Sequence, residues 1–179
     1  MKKLVFLFLI VNFFFGCGDS KLKPQISLEE GTGKIPDQET WGSEIIVTED
    51  GVLKAIVYSD HISVMSEEKE KLLDGVKILF YNDEGVQSSS LTSKKGRVDD
   101  LTQDMYAIDS VVAVSDSGVT LYTDELIWKS KTNKIVSDKF VKIVSDQEQI
   151  EGYGFESNQD LNPYTIYNIT YYTNLNEKN

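Results

Sequence analysis

The chain holds one histidine, His61, and one cysteine, Cys17, and these two residues bound its chemistry. His61 stands in Ser59-Asp60-His61-Ile62, a segment of strand-like composition. Nucleophilic catalysis needs a nucleophile, a base and an orienting group converging on one point. Adjacent strand residues point to opposite faces, so Ser59, Asp60 and His61 cannot converge as a triad. No nucleophile elbow supports a long-range triad. His61 is read as an ordinary strand or turn histidine. Zinc would need a cluster of histidine and cysteine, which is missing. Asp99-Asp100 with Asp104, and Asp83-Glu84, lie in loops without the spaced oxygen ligands of a calcium site. No glycine-rich phosphate cradle opens a helix. The many scattered carboxylates read as a solvated acidic surface. The expectation is a protein that is not an enzyme and carries no metal or cofactor.

Cys17 suggests a different chemistry. Lys2 and Lys3 are followed by an apolar run from Leu4 to Phe15, broken only by Asn12, then Gly16 and Cys17. A run of about 12 residues suits a signal-peptide core, whereas a spanning helix needs roughly 20. A small residue before a lone cysteine is what a lipoprotein signal peptidase requires. Residues 1–16 are therefore expected to be a signal peptide, and Cys17 the lipid anchor. An ordinary secretory signal and an uncut anchor are the alternatives. Lipidation accounts for an exported thiol that has no partner for a disulfide.

The net charge is −11, and removing Lys2 and Lys3 takes it to −13. Such a surface repels nucleic acid and anionic headgroups. Membrane attachment would then fall to acyl chains, of which two or three hold firmly and one marginally.

The elements around these residues are strands. Residues 17–40 show no apolar period and contain Pro24, Gly31, Gly33 and Pro36, the texture of a flexible tether. From Trp41 the chain alternates short Val-, Ile-, Tyr- and Thr-rich runs with turn residues. The pattern predicts strands near 44–48, 52–58, 61–65, 75–81, 86–93, 105–114, 119–128, 134–138, 140–145, 149–156 and 165–172. The charged piece Ser66 to Leu73 reads as a helical turn or a hairpin loop. Asp83-Glu84-Gly85, Asp116-Ser117-Gly118 and Lys131-Thr132-Asn133 each place a residue tolerant of positive φ between strands. A weak repeat relates Val111–Asp116 to Val141–Asp146, and Val76–Val86 echoes it. Hairpins that repeat this way stack, because one hairpin cannot bury its own apolar face. The fold expected is all-β, with stacked antiparallel hairpins over residues 41–173 and a polar tail at 174–179. Alternation puts Val76, Ile78 and Phe80 on one face, and Lys77, Leu79 and Tyr81 on the other. Periodicity does not separate a filled core from a lined groove.

Four stretches resemble the LptC family, the membrane-anchored periplasmic component of the lipopolysaccharide-export bridge. They are Val76–Leu91, Leu91–Val98, Ser117–Trp128 and Ile150–Asn158, in matching order over roughly residues 52–170. The third, Ser-Gly-Val-Thr-Leu-Tyr-Thr-Asp-Glu-Leu-Ile-Trp, is the most specific. The resemblance implies an open β-jelly roll in the periplasm, held at the inner membrane. It implies lipopolysaccharide as cargo, with acyl chains in an apolar groove for which Ile78, Phe80, Leu121 and Val141 are candidates by alternation. It implies docking on the jelly rolls of an inner-membrane ABC transporter (LptF/LptG-like), and pairing of the C-terminal edge with the next bridge protein (LptA-like). Gly152, Tyr153 and Gly154 match the family's Gly-x-Gly motif near that edge. In a strand, such glycines mark a bulge or a close backbone approach. The competing reading is a lipid-anchored β-sandwich scaffold or ligand-binding lipoprotein with no role in lipid transport.

Overall fold

The computed structural model describes residues 35–175. The expected signal peptide, Cys17, the expected tether up to residue 34 and residues 176–179 of the expected tail lie outside the described residues. Within them the chain forms nine strands: β1 (Gln38–Glu49), β2 (Val52–Met65), β3 (Glu70–Tyr81), β4 (Gln87–Asp99), β5 (Met105–Ser115), β6 (Thr120–Lys129), β7 (Lys134–Val144), β8 (Glu148–Ser157) and β9 (Tyr164–Asn174). They form one antiparallel sheet in sequence order, from β1 to β9. This is the all-β open jelly roll expected.

The turns follow from their residues. Gly85, Gly118 and Asn133 all have positive φ, as their turns require. Asp50 and Gly51, both at positive φ, make the two-residue β1–β2 turn, a hairpin signal that the strand pattern alone passed over.

Several expected elements are corrected. The runs 52–58 and 61–65 are one strand, β2, and 134–138 and 140–145 merge in β7. Ser66–Lys69 is a turn, and β3 begins at Glu70, so the charged piece is no helix. β1 starts at Gln38, inside the segment read as tether.

The merged strands are long because each crosses a common bend. The ladders skip Gly42, Asp60 and Gly75, and shift register between Thr92 and Lys95, Ile108 and Val111, Thr123 and Ile127, Ser137 and Phe140, and Glu151 and Gly152. Gly42, Gly75, Asp109, Ser110 and Gly154 take positive φ along this line. Bulges bend a strand and leave backbone groups unpaired. Buried hydroxyls satisfy several of these groups. Ser59 Oγ lies 2.8 Å from the carbonyl oxygens of both His61 and Asp74. Ser93 Oγ donates to Lys95 (2.8 Å) and Thr123 Oγ1 to Phe140 (2.8 Å). The sheet thus folds across its own middle, and its two halves face each other over a core that includes Val57, Phe80, Leu91, Leu126 and Phe155.

Candidate functional site

Val76, Ile78 and Phe80 are buried while Lys77 is exposed, so β3 alternates as its sequence predicts. Their side chains meet residues from the other side of the bend. An apolar cavity of about 270 Å³ lies between the halves, lined by Ile78 and Phe80 from one half and by Leu73, Val98, Leu126 and Trp128 from the other. Ile45 and Val47 of β1 belong to its wall, as do Tyr106, Lys71 and Arg97. A second cavity, of about 450 Å³, shares Val47, Phe80, Met105 and Trp128 with the first. Its remaining wall is largely polar, with Glu49, Lys54, Asn133, Asn158, Gln159 and Asp160. The two cavities therefore adjoin at these shared side chains.

The four groove candidates separate. Ile78 and Phe80 line the apolar cavity. Leu121 and Val141 are 0 % exposed and pack in the core beyond it, outside either cavity wall. Alternation placed all four on the inner face but carried no information on where the two halves part. Trp128, Met105 and Val47, which sequence reasoning did not single out, stand at the junction. The available signal was a bulky apolar residue near the end of the Ser117–Trp128 motif.

The sheet has two open edges. β1 lies at one, with Ile45 (43 %), Ile46 (61 %) and Val47 (36 %) exposed. β9 lies at the other, exposing Tyr167, Ile169, Tyr171 and Tyr172. Gly152, Tyr153 and Gly154, expected near the C-terminal edge, lie one strand in from it. They belong to β8, whose backbone pairs with β7 and β9 on its two sides. Gly152 permits that pairing, since a Cβ there would stand 2.3 Å from the Asn168 carbonyl oxygen. Gly154 sits at φ +77°, beside the Tyr167 ring. Tyr153 is half exposed and packs edge-on against Phe140.

Lys129 bonds Asp104 at 2.9 Å, which raises its amine above the ordinary lysine range. Lys54, in the wall of the second cavity, pairs with Asp83, and that hydrogen bond raises its amine in the same way. Asp99 caps its own loop, accepting from the backbone N–H groups of Leu101 and Thr102, both at 2.9 Å. These bonds hold its carboxyl below the usual range, with the Thr102 N–H the largest cause. The loop acids thus serve the backbone and lysines, and among the described residues no cluster of acids, histidine or cysteine is arranged to hold a metal. His61 lies between Glu39 (3.0 Å from Nε2) and Asp74 (3.4 Å from Nδ1), stacked on Trp41 at 5.0 Å. Ser59 turns its hydroxyl to backbone carbonyls instead of the ring.

No curated protein matches the sequence. The family model described as lipopolysaccharide-assembly, LptC-related, matches residues 40–172, from the start of β1 nearly to the end of β9. A bent all-β sheet with open edges and an apolar interior is the body of this chain, and with that match the chain belongs to the LptC-related lipopolysaccharide-assembly family, whose work is lipopolysaccharide transport.

Proposed function

We propose that this chain is a periplasmic relay, held at the inner membrane by acyl groups on Cys17. It takes lipopolysaccharide from an ABC transporter and passes the acyl chains through the bent sheet to the next bridge protein. One observation carries this reading: the cavity between the sheet halves is largely apolar and adjoins a second cavity with a more polar wall. Acyl chains leave water for such a space with a gain proportional to the area they bury. Saccharide and phosphate stay outside, where an acidic surface does not have to meet them closely.

The two edges supply the docking surfaces. An exposed edge strand offers unpaired backbone groups and accepts a further strand. The transporter's periplasmic jelly rolls (LptF/LptG-like) pair along β1, and the next bridge protein (LptA-like) pairs along β9. Extended this way, the sheets would give the acyl chains a continuous path.

In-cell photocrosslinking tests the relay. Probes at Ile78 and Phe80 should yield energy-dependent lipopolysaccharide adducts, while probes at Leu121 and Val141 should yield far fewer. Absence of adducts at all four, with capture of protein partners from probes on β1 and β9, would instead establish a scaffold.

A further inference from the structure

The loop between β8 and β9 does not stay with the half of the sheet that it leaves. Ser157 and Tyr164, on either side of it, pair with each other beyond the bend, in the half that holds Ile135 and Trp128. The loop carbonyls are held from the other half. Ser89 Oγ donates to Gln159 (2.7 Å) and Ser115 Oγ to Asp160 (2.8 Å). Those two serines are direct partners in the β4–β5 ladder, and Ser89 pairs with Phe80 on its other side. Tyr164 crosses in the same direction and donates to Glu148, at the start of β8, at 2.9 Å. Residues 158–163 thus form a strap from one sheet half to the other.

Leu161 is the part of the strap that enters the core. It is 1 % exposed and belongs to the same buried cluster as Leu121, Val141 and Ile143. Its φ is +57°, a conformation that a residue other than glycine keeps only where its surroundings impose it. The strap is also tied within itself. Asn158 Oδ1 accepts from the backbone N–H groups of Asp160 (3.1 Å) and Asn162 (3.3 Å), and the Asn158 amide donates to the Asn162 carbonyl (2.9 Å). Such a segment can leave as one piece once the two serine bonds break and Leu161 withdraws. Asn158, Gln159 and Asp160 line the second cavity. The strap therefore has open space on one flank and, through Leu161, the sealed core on the other.

We propose that residues 158–163 are a displaceable strap that closes the groove short of β9, and that an incoming acyl chain lifts Leu161 out and takes its place. The inference rests on the acyl-groove reading and adds to it the element that admits cargo toward the β9 edge. A groove that ends at a fixed wall cannot pass a chain along the sheet. A leucine held by two hydroxyl bonds can yield, because the acyl chain buries apolar area where the leucine did. The closed strap lowers the apparent affinity, since only the open fraction of molecules is competent to take the chain in.

The test uses short-core, hexaacylated lipopolysaccharide as the probe. Ser89→Ala and Ser115→Ala each remove a bond made only by the closed strap. Each variant should bind the probe about three- to tenfold more tightly than wild type, the span of one net hydrogen bond, even as its urea midpoint falls. Serines with a merely structural role would lower the midpoint without tightening binding. Hydrogen exchange on the wild-type protein needs no variant to fold. The amides of residues 159–162 should exchange faster with the probe bound, while those of β4 and β5 should not. Affinity unchanged or weakened in both variants, or strap amides equally or better protected with the probe bound, would overturn the strap and leave the groove standing. No binding of the probe by wild type or either variant would overturn the groove and the strap together.

Discussion

Gly152 and Asn168 approach so closely across β8 and β9 that a Cβ on Gly152 would stand 2.3 Å from the Asn168 carbonyl oxygen and 2.8 Å from Ile166 Cγ2. The carbonyl is backbone within a ladder, so it cannot step aside as a flexible side chain would. Gly152→Ala should therefore push β9 away and destabilise the fold by about 1–3 kcal/mol, the usual range for overpacking. Hydrogen exchange would show the effect concentrated in β9 amides, and crosslinking of the next bridge protein should fall with it. Unchanged β9 protection in Gly152→Ala would mean that the close approach is not required.

The hydroxyls at the bend invite a second substitution. Thr123 is buried, and its Oγ1 donates to Phe140 at the β7 register shift. Thr123→Val keeps the shape and removes the donor, leaving a buried carbonyl under-satisfied. The expected loss is about 1–3 kcal/mol, read from the urea midpoint. Ser90→Ala, on the half-buried outer face of β4, should change the midpoint little by comparison.

Tyr164 supplies a dependence on alkali. Burial, its hydrogen bond to Glu148 (2.9 Å) and the Glu148 charge push its phenol up to about 12. An unfolded tyrosine ionises near pH 10. The folded state thus holds its proton more tightly, and this contribution to stability is complete below about pH 10 and is lost as pH rises from about 10 through 12. Tyr164→Phe should remove the decline between those values, as measured by urea unfolding at a series of pH values. A decline of the same size in the variant would assign it to other groups.

Substituting His61 tests the expectation that the chain is not an enzyme. Its ring ties β1 to β2 and β3 through Trp41, Glu39 and Asp74. His61→Ala should lower stability by about 1 kcal/mol, since a partly exposed ring contact and polar partners are lost. Lipopolysaccharide transport at permissive temperature should stay within about twofold of wild type, as expected of a surface substitution with a small effect on folding. Loss of transport with stability unchanged would assign the histidine a chemical role.

Much of this molecule was legible in its sequence. The β class, the glycine and asparagine turns, and the inward face of Val76, Ile78 and Phe80 all follow from local chemistry. A side-chain period of two and the few residues that tolerate positive φ do not depend on distant partners. The motif order around Ser117–Trp128 also pointed to the family that the match over residues 40–172 establishes.

Tertiary structure decided the rest. Ser59, Ser93 and Thr123 interrupt apolar alternation, which in the sequence resembles the end of a strand; in the fold they repair the ladder where a continuous strand bends. Ser59 thus divides β2 into two runs in the sequence, and the polar Ser137-Asp138-Lys139 at the β7 register shift divides β7 in the same way. Whether an inward residue is sealed, as Leu121 and Val141 are, or faces open space, as Ile78 and Phe80 do, depends on how far apart the two sheet halves stand. The strand expected at 165–172 is β9, and its pairing with β8 puts Gly152–Gly154 one strand in from the edge. Alternation along a strand reports which way a side chain points, and only the long-range pairing of strands determines what it meets there.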